Sequence, residues 1–220
     1  KMGGIKDINC YKLLRKKNQH IIETAKKFIK DNLNINVEEN PALNPNPDSV
    51  VQAKKNYSIS NNEINIILGT GGSGKTKRVP SKIFIEVMKN TLKKKKCKFF
   101  IATGNNEEEI EILNQITKSD LKEFCIPLND LNISKIIPII KNCNVAICND
   151  TSFSHLSAAL NIPTIVLMAD TPLVYGSYSS LMYPILPEGA NTVSHDTLGK
   201  DKINSSEIQK KLDEILSNVS

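Results

Sequence analysis

From Ile64 onward, short apolar runs alternate with stretches of helical periodicity, and this alternation is the strongest constraint on the fold. Runs of about four to six apolar residues are typical of buried strands, and the longer periodic stretches are typical of helices. Such an alternation forms right-handed βαβ units and so predicts an α/β fold with a doubly wound parallel sheet. The predicted strands are 64–68, 97–102, 124–126, 145–148 and 163–168, and the predicted helices are 80–92, 107–117, 132–141, 152–160 and 205–217.

The first sixty residues have a different pattern. Residues 8–33 have apolar side chains at helical spacing, and the Asn-rich stretch 37–49 with its three prolines predicts a linker before a short helix at 49–56. We therefore predict three parts: a mostly helical segment with a linker at 1–60, the α/β domain at 61–204, and a C-terminal helix at 205–220.

Composition limits the class of protein. A hydrophobic content of 40% is enough for a core, and the net charge of +6 favours anionic partners, among them nucleic acid, anionic lipid and nucleotide-linked substrates. The run Lys93–Lys96 predicts a solvated helix end, with a lipid-facing patch as the alternative. Five cysteines without metal-site spacing predict reduced, buried thiols in a cytoplasmic protein. No signal peptide is apparent, and no apolar run approaches the length of a membrane span.

Polar residues are concentrated at one predicted junction between strand and helix. The segment Asp150–His155 reads DTSFSH and lies between the predicted strand 145–148 and the predicted helix 152–160. Free backbone N–H groups and the positive end of the helix dipole meet at such a junction and favour an anion. Because open α/β sheets bind ligands at the carboxyl ends of their strands, the position predicts a phosphate or nucleotide site.

A glycine-rich loop follows the first predicted strand. Gly69–Thr76 reads GTGGSGKT and fits the P-loop pattern GxxxxGK(S/T), which would make the protein a nucleoside triphosphatase or kinase. A P-loop needs a long helix that begins at its lysine, whereas Pro80 favours a helix that begins at Pro80 itself. The sequence favours a flexible loop that places the cations Lys75, Lys77 and Arg78 on a diphosphate. The P-loop remains the alternative.

Both segments resemble glycosyltransferase family 9, the ADP-heptose:lipopolysaccharide heptosyltransferases. The loop with Lys77-Arg78-Val79-Pro80 and Phe84 is similar to the family's PG(A/S)…K-R/H-W-P…F, although Val79 stands where the family has Trp. The segment Asn149–Thr164 is similar to DTGxxHxAAALxxPT, with Ser152 where the family has Gly. The resemblance covers roughly residues 20–218. It implies a GT-B architecture of two Rossmann-like domains, of which this chain would be the C-terminal half.

The resemblance also implies an activity and a set of roles. Residues 1–60 would hold the last part of the N-terminal acceptor domain, and the helix at 205–220 would pack back toward that domain. The enzyme would transfer a heptose or similar sugar from a nucleotide-sugar donor such as ADP-heptose to a lipopolysaccharide-type acceptor, with no metal or other cofactor. The catalytic base is expected in the N-terminal domain, outside this chain. The implied donor-binding and leaving-group residues are Ser73, Lys77, Glu107, Leu131, Asp150, Thr151, Ser152 and His155.

Particular contacts are implied for several of these residues. Lys77, Ser73 and Thr151 would stabilise the departing diphosphate, which His155 would approach, and Asp150 would bind sugar hydroxyls. Glu107 would hold the ribose and Leu131 would pack on adenine. We expect a bacterial, monomeric protein of the cytoplasm, peripheral to the inner membrane and without a nucleic-acid partner. A non-enzymatic nucleotide-binding half remains the third hypothesis.

Overall fold

The computed structural model describes residues 20–38 and 40–217. Two helices come first, α1 (Ile21–Leu33) and α2 (Pro47–Asn56), and strands and helices alternate after them. The strands are β1 (Ile64–Gly69), β2 (Cys97–Ala102), β3 (Cys125–Pro127), β4 (Val145–Asn149), β5 (Thr164–Leu167) and β6 (Met182–Ile185). The remaining helices are α3 (Ser81–Leu92), α4 (Glu107–Thr117), α5 (Ile133–Ile140), α6 (Ser152–Ala159) and α7 (Ser205–Ser217).

The six strands form one parallel sheet in the order β3-β2-β1-β4-β5-β6. This is the doubly wound order of Rossmann folds, and the predicted fold class is confirmed. The winding reverses between β1 and β4, which lie side by side with Ile66 opposite Val145. In such sheets a crevice for ligands opens at the carboxyl ends of the two strands that flank the reversal.

Each face of the sheet is covered by its own helices. Ile66 and Leu68 of β1 pack with α3, α4 and α7, whereas Ile67 between them packs with α2, α5 and α6. The alternation follows from the strand period of two residues, and it explains why the strands are apolar on both faces. Phe84 of α3 and Phe100 of β2 are almost completely buried, each burial contributing about 1.5–3 kcal/mol.

Most predicted elements lie within two residues of the observed ones. β6 was not predicted because it has only four residues and contains Pro184, which lacks a backbone N–H group. Proline is compatible with this position because β6 is an edge strand that pairs with β5 alone. The predicted helix at 8–33 corresponds to α1 over its second half, and its residues 8–19 lie outside the described part of the chain.

The flanking helices pack on the sheet layer. Ala53 of α2 belongs to the core that α5 and α6 share, and Ile208 and Leu212 of α7 belong to the core on the opposite face. The predicted buried thiols include Cys143 and Cys148, and burial raises the pKa of Cys148 to about 12. Within the described residues, no helix combines the length and the apolar character that a membrane span requires.

Candidate functional site

The polar segments predicted to bind a ligand follow β1 and β4, the two strands at the reversal of the sheet. The loop 70–80 connects β1 to α3, and Asp150 and Thr151 connect β4 to α6. Parallel strands end at the same edge of the sheet, so segments about eighty residues apart in sequence become neighbours. The fold therefore places both motifs at the crevice where doubly wound sheets bind their ligands.

The glycine-rich loop does not have the geometry of a P-loop. Lys75–Lys77 form a single 3₁₀ turn, and α3 begins only at Ser81, with Pro80 as its N-cap residue. A P-loop would have its helix begin at Lys75, so the P-loop hypothesis is not supported. The Lys75 side chain is 82% exposed, and its Nζ lies 3.0 Å from Glu108 Oε1.

Three titratable side chains from the two segments come together. The Nζ of Lys77 lies 3.6 Å from Asp150 Oδ2, and the Nε2 of His155 lies 3.9 Å from Asp150 Oδ1. The Asp150 side chain is only 6% exposed, so these charges interact with less solvent screening than a surface pair. The structure thus brings together Lys77, Asp150 and His155, three of the residues that the family resemblance assigns to donor binding.

His155 is oriented by a residue that the sequence analysis missed. Its Nδ1 lies 3.1 Å from the Tyr178 hydroxyl, and the two rings stack with centroids 5.6 Å apart. Burial lowers the pKa of His155 below 6.5 and the Lys77 charge lowers it further, while the Asp150 charge acts in the opposite direction. The neutral imidazole is therefore favoured. No motif pointed to Tyr178, because its contact depends on the chain's return after β5.

The N-terminus of α6 faces the same edge. Thr151 is the N-cap residue, but its side chain makes no capping hydrogen bond. Its Oγ1 is buried without a hydrogen-bond partner. A buried hydroxyl without a partner costs free energy, so this one is available to an incoming polar group. Ser152, the first residue of α6, is exposed beside it.

A cleft of about 530 Å³ opens between the two segments and the N-terminus of α4. Of the predicted site residues, Ser73, Thr151 and Ser152 line it. Lys77, Asp150 and His155 are not among its lining residues. Glu107 does not line it either and lies exposed on the first turn of α4, and Leu131 packs half-buried against the α5 side of the sheet. The other lining residues are Gly71, Gly72, Arg78, Thr103, Gly104, Asn106, Glu109 and Phe153.

Glu109, rather than Glu107, supplies the carboxylate at this cleft. Glu109 is 6% exposed, and its Oε1 accepts a hydrogen bond of 2.8 Å from the Gly72 N–H. Its own N–H donates to Oδ1 of Asn106, the N-cap residue of α4, and the Asn106 amide donates back to Glu109 Oε2. The spacing of an N-cap Asn and a Glu three residues later resembles a capping box, a signal that the sequence contains.

Two further hydrogen-bonding side chains shape the loop after β1. The Arg78 Nε–H donates to the Gly72 carbonyl at 2.8 Å, and its guanidinium also pairs with Glu108. Asn149, at the end of β4, is fully buried, and its amide donates to the carbonyls of Thr70 and Gly71. No role for Asn149 was predicted from the sequence. Its amide is distinguished only by the contacts that the fold creates.

Over 20–38 and 40–217, no three His, Cys, Asp or Glu side chains are grouped so that they could hold a metal ion. The charged groups at this edge of the sheet include Lys77 and Arg78, which are adjacent in the loop after β1, and the carboxylates of Glu109 and Asp150. Their arrangement suits an anion that also carries hydrogen-bonding groups.

Comparison with known proteins assigns the chain to a family. Residues 9–191 match the family model described as glycosyltransferase family 9 (heptosyltransferase). The chain is 31% identical over 74 residues to lipooligosaccharide heptosyltransferase 2 of Haemophilus influenzae. The aligned segment covers 33% of this chain and 21% of that protein.

Solved structures share the fold at low identity. The family 9 glycosyl transferase of Veillonella parvula matches 94% of this chain with a TM-score of 0.78 and 16% identity. The E. coli heptosyltransferase WaaC, solved with ADP, matches 90% with a TM-score of 0.67 and 14% identity. The chain covers 62% and 57% of these two structures, about three-fifths of their length. Since the family match extends over most of its residues, the chain belongs to glycosyltransferase family 9.

Proposed function

We propose that the chain is the donor-binding, C-terminal half of a heptosyltransferase. It would bind ADP-heptose or a related nucleotide-sugar, and the complete enzyme would transfer the sugar to a lipopolysaccharide-type acceptor. The observation that carries the proposal is the meeting of Lys77, the N-terminus of α6 and the unpartnered Thr151 hydroxyl at the reversal of the sheet. WaaC, which shares the fold, binds ADP and has also been solved with ADP-2-deoxy-2-fluoro heptose.

The chemistry needs a group that accommodates negative charge. An acceptor hydroxyl attacks the anomeric carbon, the bond from that carbon to the diphosphate oxygen breaks, and the diphosphate leaves with the bonding electrons. The Lys77 ammonium and the N–H groups of the first turn of α6 stabilise this developing charge. Loss of one such contact slows transfer by on the order of 10²-fold or more. The acceptor proton passes to a base that the family resemblance places in the N-terminal domain.

Two carboxylates, that of Glu109 inside the cleft and that of Asp150 outside its lining, would bind different parts of the donor. The Glu109 carboxylate repels a phosphate but accepts hydrogen bonds from hydroxyls, so the ribose fits that end better than the diphosphate does. Glu109 would thereby bind the ribose in place of Glu107, to which the family resemblance assigns that contact. Asp150, next to Lys77 and His155, is placed to accept hydrogen bonds from the hydroxyls of the transferred sugar. The adenine contact of Leu131 stays a prediction.

Calorimetric binding tests the donor site directly. We expect the 220-residue chain to bind ADP with equal affinity with and without Mg²⁺. The Lys77→Ala variant should lose this binding because it lacks the ammonium that faces the diphosphate. The matched control is Lys75→Ala in the same loop, whose side chain is exposed and pairs with Glu108, and it should keep the binding.

The opposite pattern would overturn the proposal. Tight binding of ATP that requires Mg²⁺ and is lost in Lys75→Ala would identify a P-loop despite the geometry of the loop. If the unaltered chain did not bind ADP, the proposed donor site would be refuted. The lipopolysaccharide-type acceptor, the monomeric state and the cytoplasmic, membrane-peripheral location stay predictions.

A further inference from the structure

We propose that Asn149 is a positioning residue that fixes the loop carrying Lys77, so that the ammonium faces the donor diphosphate. The inference rests on the proposed function, since it assigns to Asn149 a role in donor binding. Asn149 itself is fully buried and does not line the cleft. It would act through the backbone of the loop.

The loop after β1 needs such a restraint. Three glycines, Gly71, Gly72 and Gly74, precede Lys77 within a few residues, and glycine leaves the backbone more conformational freedom than any other residue. Lys77 itself lies in a single 3₁₀ turn, whose hydrogen bonding is weaker than that of an α-helix. An unrestrained loop of this composition would distribute the Lys77 ammonium over many positions, which lowers its contribution to binding.

Asn149 contacts both ends of this loop. Its Nδ2 donates hydrogen bonds of 2.8 Å to the Thr70 carbonyl and 3.1 Å to the Gly71 carbonyl, where the loop begins. Its Oδ1 accepts a longer hydrogen bond of 3.4 Å from the Val79 N–H, two residues beyond Lys77. One side chain therefore joins the beginning and the end of the segment that carries the lysine.

Asn149 is also adjacent in sequence to Asp150, the residue that pairs with Lys77. Asn149 is the last residue of β4, and Asp150, whose carboxylate lies 3.6 Å from Lys77 Nζ, follows it directly. The rigid strand thus supplies both the restraint on the loop backbone and the carboxylate that holds the lysine side chain. Only Asn or Gln offers two donors and an acceptor on a neutral group, and an aspartate here would present acceptors to two carbonyls.

A second buried asparagine provides a matched control. Asn65, near the start of β1, is 2% exposed, and its Nδ2 also donates to two backbone carbonyls, those of Ser60 and Glu63. It lies at the opposite edge of the sheet from Lys77. Substitution of Asn65 also removes two hydrogen bonds from a buried amide to backbone carbonyls, although Asn65 Oδ1, unlike Asn149 Oδ1, has no hydrogen-bond partner. It reports the structural cost of losing those two bonds without altering the loop.

The experiment compares Asn149→Ala with Asn65→Ala by two measurements. The first is the acylation rate of Lys77 by an amine-reactive ester, followed by mass spectrometry, with the exposed Lys89 as internal reference. The Lys77 side chain is 24% exposed beside Asp150, and its rate should rise several-fold in Asn149→Ala only. The second is calorimetric ADP affinity, which should fall about tenfold in Asn149→Ala and less than twofold in Asn65→Ala.

The outcomes separate this inference from the proposed function. An unchanged Lys77 acylation rate, or equal increases in both variants, would overturn the positioning role. A selective rise in acylation in a chain that binds no ADP would refute the donor site and leave the restraint of the loop standing. Circular dichroism establishes that each variant is folded, and if Asn149→Ala is not, Asn149→Ser, which keeps one hydroxyl donor, is compared in the same way.

Discussion

Glu109 offers the sharpest test of how the cleft is held together. Its side chain is 6% exposed and accepts hydrogen bonds from the Gly72 N–H and the Asn106 amide. Hydrogen bonds to an ionised acceptor contribute about 1.5–3 kcal/mol each, and part of this is offset because the variant no longer buries a charge. We therefore expect Glu109→Ala to lower the free energy of unfolding by about 2–4 kcal/mol. Glu109→Gln, which can still accept from Gly72, should lose about 1–2 kcal/mol.

Urea unfolding followed by circular dichroism measures these differences, with an unchanged slope against urea concentration as the check on two-state behaviour. The matched control is Glu107→Ala, which removes an exposed carboxylate from the same helical turn and should change stability by no more than about 0.5 kcal/mol. If Glu109→Ala and Glu107→Ala were equally stable, the buried network between α4 and the loop after β1 would have no energetic role.

Other predictions follow from single positions. Thr70 is fully buried with an unpartnered hydroxyl, so Thr70→Val should be as stable as the unaltered chain or more stable by up to about 1 kcal/mol in urea unfolding. A Cβ at Gly69 would lie 2.7 Å from the Cys148 sulfur, so Gly69→Ala should lower the free energy of unfolding by about 1–3 kcal/mol. A Cβ at Gly74 would make only an ordinary contact of 3.8 Å with Thr76 Oγ1, so Gly74→Ala should cost less than about 1 kcal/mol by the same assay. Burial lowers the pKa of His155 in the folded chain below 6.5. As the pH falls through 6.5, the His155 side chain is therefore protonated to a greater extent in the unfolded chain than in the folded chain, which favours unfolding. The thermal midpoint should therefore decrease below about pH 6.5 by more in the unaltered chain than in His155→Gln, and equal decreases would contradict this assignment.

The fold could largely be predicted because the information that specifies it is local. Apolar runs in the strands and helical periodicity between them are visible within windows of ten to twenty residues, and their alternation specifies a parallel sheet. β2, α4 and α7 were predicted with their observed bounds. The missed strand β6 shows the limit. Its four residues with Pro184 carry little strand signal, and the strand forms because β5 offers an edge to pair with.

The candidate site could be predicted in part. The motif after β4 and the lysines after β1 could be recognised because each is a continuous segment of the sequence. The predicted ends of the strands and the starts of the helices indicated where these segments lie in the fold. Glu109 and Tyr178 were missed for a different reason. Glu109 differs from Glu107 and Glu108 only in the direction of its side chain on the first turn of α4, and Tyr178 reaches His155 only through the path of the chain after β5.

The sequence by itself determined the alternation of elements, the place where α3 begins and the two motifs at the ends of β1 and β4. These depend on proline geometry, helix capping and hydrophobic period, which act between residues near one another in the chain. Only the tertiary structure decided that Asp150 meets Lys77, that Asn149 joins both ends of the glycine-rich loop and that Glu109 rather than Glu107 enters the cleft. Those contacts join residues far apart in sequence, and they exist because the sheet reverses its winding between β1 and β4.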